Sequence, residues 1–544
     1  MLAMFLAALD QNIVATAIRT IGDQLHGLDV QAWVTTSFLI TSTVTTLLYG
    51  KLGDIYGRKP LFLSAITLFI LGSALCGLST SMYMLAAFRA FQGLGAGGLF
   101  SIALAIMADV VSPQERPKYM GYFMAMFAIS SVLGPVAGGF LSGQSSILGI
   151  DGWRWIFYVN VPFGIAALVV VTKFLHVEQI RRSARIDWWG SLTVAVALVP
   201  LLIVAEQGHG WGWSSPRSVA CLVVGIGGVV AFYFAERAAG DAALVPLRLF
   251  NNRGFSIGAA QLAFVGIGMF GAFSSIPLYL QIVKGASPMR AGLLLLPLVV
   301  GLMLSATISG RLITKTGKYK IYPILGSVAL VLALFGMSRV GVDTPLWLTD
   351  VFMALFGAGL GLNMQTIQLA MQNSAPIRDL GVATAAGTFF RQVGGTLGAA
   401  VFLSILFSTA PTRIAENFAK AQSDPAFIAA KTEHPDQWDL IQQHSGGLVD
   451  TSFLNGLDTR LTRPFMTGFS SSMDLVFVVG TIVMLVTIAL VAFLPEVPLR
   501  RMSGAQAAAT EAATEAAKAE AAREAAEGES AKEQAEAIDA AVIP

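Results

Sequence analysis

The sequence predicts an all-α integral membrane protein: fourteen transmembrane helices, built as two six-helix bundles with one inserted helix pair. Three observations predict it. Of 544 residues, 55% are hydrophobic and 12% charged, with a mean hydropathy of +0.68; an ordinary soluble domain carries about 25% charged residues. Apolar runs of about 20 residues, each able to cross a hydrocarbon core of about 30 Å, recur along the chain. Two motif pairs repeat at one common offset, Gly50 to Gly310 and Gly134 to Gly394.

The spans fall near 2–22, 31–49, 61–79, 84–108, 119–142, 156–175, 188–206, 217–236, 255–281, 290–309, 321–338, 346–371, 381–409 and 471–494. An even number puts both termini on one side. The connections that alternate from 50–60 onward hold most of the Lys and Arg, among them Lys51, Arg58, Lys59, Arg181, Arg182, Arg185, Arg311, Lys315, Lys318 and Lys320. Positive-inside therefore sets these connections and both termini in the cytoplasm of a cell with this protein in its inner membrane. Residues 410–470 then form a long outer loop, whose charge is exempt because long loops translocate largely regardless of it. Its helix-like stretch (RIAENFAKAQ) and turn signals (SDP, NG) leave room for an extracytoplasmic docking partner. The first helix lacks the basic flank and cleavage site of a signal peptide. Only nine residues precede Asp10, so a short cytoplasmic leader is expected ahead of Met1. The Ala/Glu run AQAAATEAATEAAKAEAAREAAEGES favours helix but has almost no apolar face, which reads as a solvated, partly disordered tail. Cys76 and Cys221 both lie in apolar runs and form no disulfide framework.

The repeat gives the domain organisation. GKLGDIYGRKP (Gly50–Pro60) matches GRLITKTGKYK (Gly310–Lys320), and GPVAG (Gly134–Gly138) matches GGTLG (Gly394–Gly398). The expected units are an N-terminal six-helix bundle at 1–176, two inserted helices with cytoplasmic linkers at 177–253, a C-terminal bundle at 254–500 that includes the loop 410–470, and the tail 501–544. Parallel repeats of this kind set the substrate site between the halves, near the midplane. The inserted pair carries acids only at its ends (Glu206, Glu236) and reads as a spacer.

The chemistry concentrates on few charges. A carboxylate at the centre of a membrane helix costs roughly 2.5–3.5 kcal/mol on insertion scales, and Asp10 is the one acid well inside a span; Asp23, Asp109, Glu206, Glu236 and Asp474 fall near span ends. All five histidines sit in loops or at helix ends, so no buried imidazole can relay protons. Burial disfavours a charged carboxyl and a nearby cation favours it; a group poised between the two can trade a proton for a cationic substrate. The bland alternative is an acid that fixes helix packing. Arg89 is the countercharge, with Gln92 one turn on, although it starts some 10 Å shallower by helix rise. Against that stands an Arg snorkelling to the outer interface. Arg391 is too deep to snorkel easily and reads equally as a cavity cation or a partner for helix-end carbonyls.

Asp54 is expected near the start of the span at 381, where the helix dipole would favour it by typically 0.3–1 kcal/mol. That contact would hold the halves together on the cytoplasmic side. Lys51, Arg58 and Lys59 also serve as topology signals. Pro135 bends its helix, and Gly134, Gly138 and Gly139 allow close backbone approach: a sliding contact between the halves, or plain tight packing. A mostly apolar site with few polar anchors has as candidates Asn12, Thr16, Gln261, Phe264, Asn363, Gln365 and Gln368, with Arg391. Each alone reads as a helix–helix hydrogen bond; as a group they suggest a cavity.

These residues carry a family resemblance. GKLGDIYGRKP resembles the cytoplasmic signature of the major facilitator superfamily, and RAFQGLGAGG, from Arg89, resembles its span-4 motif. SSVLGPVAGG is similar to the antiporter motif of proton-coupled exporters. LDQNIVATAI, WRWIFYVNVPFG and VPLRLFNNRGF resemble the fourteen-span drug:proton antiporter branch. Asn12, Arg19 and Ser130 depart from the usual Thr, Pro and Gly, and the tenth span lacks the acid that some members carry. The resemblance implies a major-facilitator fold, Asp10 as the proton-responsive acid, and gating roles for Gly50, Asp54, Gly57, Arg58, Lys59, Gln92, Gly93, Gly134, Pro135, Gly138 and Gly139. It implies multidrug:proton antiport of apolar or cationic small molecules, driven by the proton gradient without cofactor or metal, by a protein working as a monomer. A second reading is export of a specific lipid, siderophore or metabolite by the same machine. A membrane enzyme or receptor is a third class, but the chain has no phosphate loop, metal-spaced His/Cys cluster or nucleophile motif, and no nucleic-acid partner is implied.

Overall fold

The computed structural model describes residues 2–25, 31–112, 115–175, 187–286, 288–376, 379–444 and 456–499. The Ala/Glu tail 501–544 and the linker arginines Arg181, Arg182 and Arg185 lie outside the described residues. The first half contains α1 (Leu2–Gln24), α2 (Gln31–Tyr56), α3 (Arg58–Gly77), α4 (Met82–Val110), α5 (Arg116–Ser142), α6 (Trp155–Tyr158) and α7 (Asn160–Phe174). A short hairpin of β1 (Ser146–Ile147) and β2 (Ile150–Asp151) separates α5 from α6. The inserted pair is α8 (Trp188–Trp211) and α9 (Pro216–Ala239). The second half contains α10 (Arg253–Leu278), α11 (Pro288–Leu294), α12 (Leu296–Thr316), α13 (Ile321–Met337), α14 (Leu346–Ser374), α15 (Leu380–Ala421), α16 (Pro425–Glu433), α17 (Pro435–His444) and α18 (Thr459–Ala492).

Every expected span coincides with helix, but the crossing count is less uniform. Among the described residues, ten helical stretches are long and apolar enough to cross a membrane, and two shorter apolar helices run Leu2–Ile18 and Ile321–Met337. α2 is not among the ten. Its Ser and Thr lower its hydropathy, yet many of those hydroxyls bond backward within the helix, as Thr41 does to the Ser37 carbonyl, Thr43 to Leu39 and Thr46 to Ser42. Such back-bonding satisfies the hydroxyl inside an apolar bundle.

The two motif pairs make equivalent contacts. Gly57 and Gly317 share a positive φ, +90° and +70°, where a side chain would be strained; each closes a helix before the next begins. A Cβ on Gly134 would strike Asn12, and one on Gly138 the Ile13 carbonyl. In the second half, a Cβ on Gly394 or Gly398 would strike the Ala263 or Ile267 carbonyl. The glycines thus form the seam α5–α1 and its counterpart α15–α10. Of the two readings of span 5, Gly134 and Gly138 match tight packing against α1 inside the first half. Gly139 has open space around its Cβ direction. In α4, Gly93 and Gly97 admit α2, while Gly95 admits α3, so RAFQGLGAGG is the surface on which both neighbours rest.

The structure adds detail to 410–470. Where it is described, the segment is mostly helical, and the helices on either side run into it. α15 runs 42 residues and α18 begins at Thr459, so both helices continue well past the expected span ends. Between them α16 and α17 pack Phe427, Ala430 and Ile441 against Leu461 of α18. Phe418, Phe427 and Trp438 meet at ring-centroid distances of 5.5–6.2 Å. The composition is polar because this small cap buries only one face.

Candidate functional site

Four helices of the first half converge on Asp10, which is fully buried. Arg89 of α4 donates to its Oδ2 at 2.6 Å, and Gln92, one turn along, donates to Oδ1 at 3.1 Å. Asn160, the first residue of α7, donates to Oδ1 at 2.6 Å and to Ser73 Oγ of α3 at 2.9 Å. Ser73 in turn donates to the Phe157 carbonyl. Arg89 also donates to Gln92 Oε1 and lies 4.0 Å over the Phe38 ring. The guanidinium is 1% exposed, so it does not snorkel: the ion pair is closed and satisfied on both sides, the condition for keeping two charges in an apolar interior. Asn160 and Ser73 were not among the sequence candidates. The signal was WRWIFYVNVPFG, an Asn at the start of an apolar run, which reads as a helix cap until a buried acid is found opposite it.

The second cluster joins the ends of α2, α3 and α4 at the basic end of the bundle. Arg58 Nη2 pairs with Asp54 at 2.5 Å and its Nε with Asp109 at 2.9 Å. A Cβ on Gly381, at the start of α15, would strike both Asp54 Oδ1 and the Arg58 guanidinium, and one on Gly50 would strike Ala385. Asp54 therefore lies against the helix start where the repeat geometry expects it. Lys59 donates to the Thr172 carbonyl of α7. A further bridge between the halves comes from Arg116 of α5, which donates to Gln372 of α14 at 2.8 Å and to the Ala108 carbonyl. Gln372 donates to Thr384 of α15. At this end α2 meets α15 and α5 meets α14, so the halves are closed together there.

Between these clusters lies a cavity of about 180 Å³, lined from both halves. Four methionines (Met4, Met126, Met269, Met364) and four phenylalanines are among its lining residues. Methionine adapts its shape to irregular ligands. Gln368 and Arg391 line it, with Gln11, Ser42, Thr43, Thr388, Gln392 and Thr396. Asn12, Thr16, Gln261, Phe264 and Asn363 do not. Gln261 donates to Ser327 and Asn363 instead, and Asn363 donates to the Gly359 carbonyl; their polar ends hold α10, α13 and α14 together. Asn12 and Thr16 bond backward within α1. Gln365 faces a smaller pocket with Gln368, Gln372 and Arg116, and neither of its amide atoms has a partner. Asp10 is also absent from the cavity wall, although its neighbour Gln11 is part of it.

A family model described as Major Facilitator Superfamily matches residues 1–399. The chain belongs to the major facilitator superfamily. It is thus a multi-pass membrane protein of a transporter family, not an enzyme. Over 499 residues it is 34% identical to an uncharacterized MFS-type transporter of Mycobacterium tuberculosis (strain ATCC 25618 / H37Rv), covering 91% of this chain and 68% of that protein. It is 32% identical over 485 residues to Multidrug resistance protein 3 of Bacillus subtilis (strain 168), covering 89% and 91% of the two. The fold matches the major facilitator proton:xylose symporter XylE with a TM-score of 0.54 at 14% identity, over 93% of this chain and 96% of that one.

Proposed function

We propose that this facilitator expels apolar small molecules across the inner membrane in exchange for protons, with Asp10 and Arg89 as the coupling pair. The observation that carries the reading is a fully buried, four-helix carboxylate network one residue away from the wall of an apolar cavity. Protonation of Asp10 would release Arg89 and loosen α1 against α4; those helices bear Gln11 and Phe100 of the cavity. A chemical change at the acid is thereby coupled to the shape of the binding space. Relatives named for multidrug resistance support the same class. The cavity wall bears no acid among the described residues, which favours apolar bodies over the cationic compounds that the sequence pattern also allowed.

In this reading all fourteen helices cross the membrane and both termini are cytoplasmic. Residues 1–176 and 254–500 are the two moving bundles, and α8–α9 are a spacer. With the basic end inside, the Asp54–Arg58–Gly381 contact and the Arg116–Gln372 bridge close the inner side, and the molecule stands in its outward state. The test is dye efflux from proteoliposomes under an imposed pH gradient. Wild type should drive apolar dyes uphill, and a protonophore should stop it. Uphill efflux that survives the protonophore, or none from well-inserted wild type with any dye of a broad apolar panel, would overturn the reading.

A further inference from the structure

The cavity holds a charge that no described residue balances. Arg391 of α15 lines it and is partly exposed to it. Its guanidinium makes no hydrogen bond or ion pair with any described residue, and no described charge acts on it. Three buried cations among the described residues, by contrast, are engaged. Arg89 is held by Asp10, Arg58 by Asp54 and Asp109, and Arg116 by carbonyls and Gln372. Asp10 cannot serve both arginines, since its two oxygens are already taken by Arg89, Gln92 and Asn160. No acid lines the cavity among the described residues. An unpaired guanidinium facing an apolar, low-dielectric space is costly. Its cost falls when a ligand brings the missing charge.

We infer that the cavity takes an amphipathic organic anion: an apolar body against the Met and Phe wall, and an oxyanion head on the Arg391 guanidinium. The inference rests on the transport reading above and names the substrate class of that same cavity. Guanidinium suits such a head because its planar fork can give two parallel N–H bonds to a carboxylate or phosphate. Gln392 is the next residue along α15, and Gln11 and Ser42 line the same space from the first half; their side chains can supply further donors. An oxyanion held there would touch both halves at once.

The experiment compares three ligands with one apolar body: 11-(dansylamino)undecanoic acid, its methyl ester, and the matching trimethylammonium compound. Binding is measured on the full-length protein in phosphatidylcholine nanodiscs, with empty nanodiscs subtracted. The acid should bind at least about tenfold more tightly than the ester, and the cation most weakly. Arg391→Gln should bring acid and ester to within about twofold, while Arg391→Lys should keep part of the preference. Equal binding of acid and ester by wild type, tighter binding of the cation, or a preference that survives Arg391→Gln would overturn the inference. If Arg391→Gln does not fold, the wild-type comparison and Arg391→Lys still decide it. Nanodiscs with added phosphatidylglycerol separate the sources: competition lost in Arg391→Gln assigns the oxyanion to a lipid headgroup, and no competition assigns it to a free amphiphile. A preference for the acid without pH-driven movement of it would leave this inference standing and sink the antiport reading; pH-driven efflux of acid and ester alike, with equal affinities, would do the reverse.

Discussion

Asp10 shows what one residue must have around it to hold charge in a membrane helix. Its carboxylate accepts from an arginine and two amides, and each donor comes from a different turn or helix. Asp10→Asn preserves size and removes the charge that protonation would change. Uphill efflux in proteoliposomes should disappear, while energy-independent binding of an apolar dye remains measurable; uphill efflux at the wild-type rate would make the carboxylate structural. Asn160→Ala leaves the acid in place but deletes one of its donors. The loss should be about 1–3 kcal/mol, the usual penalty for a buried polar group left short of a partner, read as a lower melting temperature of the purified protein. The pairing of Asp10 with Arg89 was legible because each is an isolated charge in an apolar run. Asn160 was not, since one polar residue two positions before a proline is what an ordinary helix start looks like. Gln261 and Asn363 were misleading for a related reason: composition tells that an amide is buried, not whether it faces a ligand or another amide.

At the scale of elements, glycine sets which helices can touch. A Cβ on Gly97 would meet the Ser42 carbonyl and the Thr46 nitrogen, both backbone of α2. Backbone cannot step aside as a flexible side chain can. Gly97→Ala should cost about 1–3 kcal/mol, as overpacking does, whereas Gly139→Ala, with open space around it, should leave the melting temperature near wild type. The cap of α16 and α17 has a titrating hydrogen bond at its edge. Asp458 caps α18, and its carboxyl is held at about 2, chiefly by the hydrogen bond from the Arg460 side chain and also by that residue's backbone N–H. An unfolded Asp titrates at about 3.9. Because the folded value is the lower, the contribution is full above about pH 4 and is lost as pH falls toward about 2. Hydrogen exchange of 458–463 should be faster in Asp458→Asn than in wild type at neutral pH. That difference should vanish over this acid window; a difference unchanged at pH 2 would remove Asp458 from the cap. The helix-like stretch RIAENFAKAQ marked the extension of α15, but its continuity with the span and the early start of α18 were not legible, because a solvated helix with one narrow apolar stripe has the composition of a loop.

For the whole molecule, closure at the basic end depends on a few contacts between halves. Asp54 and Arg58 press on Gly381, and Arg116 reaches Gln372. Asp54→Asn should insert and express normally but lose export. Cysteines placed at positions 123 and 126 of the cavity wall should change their labelling rate, since the balance between states shifts more than the fold; unchanged export would show that the contact does not gate. Topology has its own check. Cysteines within 410–470 should react with an impermeant reagent from outside intact cells and those within 310–320 only after lysis. Labelling of 310–320 in intact cells would refute fourteen crossings with internal termini. The matching glycine seams of α5 and α15 were legible because the motif pairs keep their glycines at one spacing. The division of labour among the polar residues was not, because it depends on which face of each helix turns toward the cavity.

The length of α15 has a mechanical consequence. From Arg391 to Ala421 the helix is unbroken, a rod of about 45 Å at 1.5 Å per residue. If the second half tilts by about 10° around the cavity, as rigid-body switching does, the far tip of that rod sweeps about 8 Å. The cap at its end is then a pointer on a dial. A dye on an exposed cap residue such as Ile428, paired with one on the β1–β2 turn, would read the transporter's state at a distance from the chemistry that sets it.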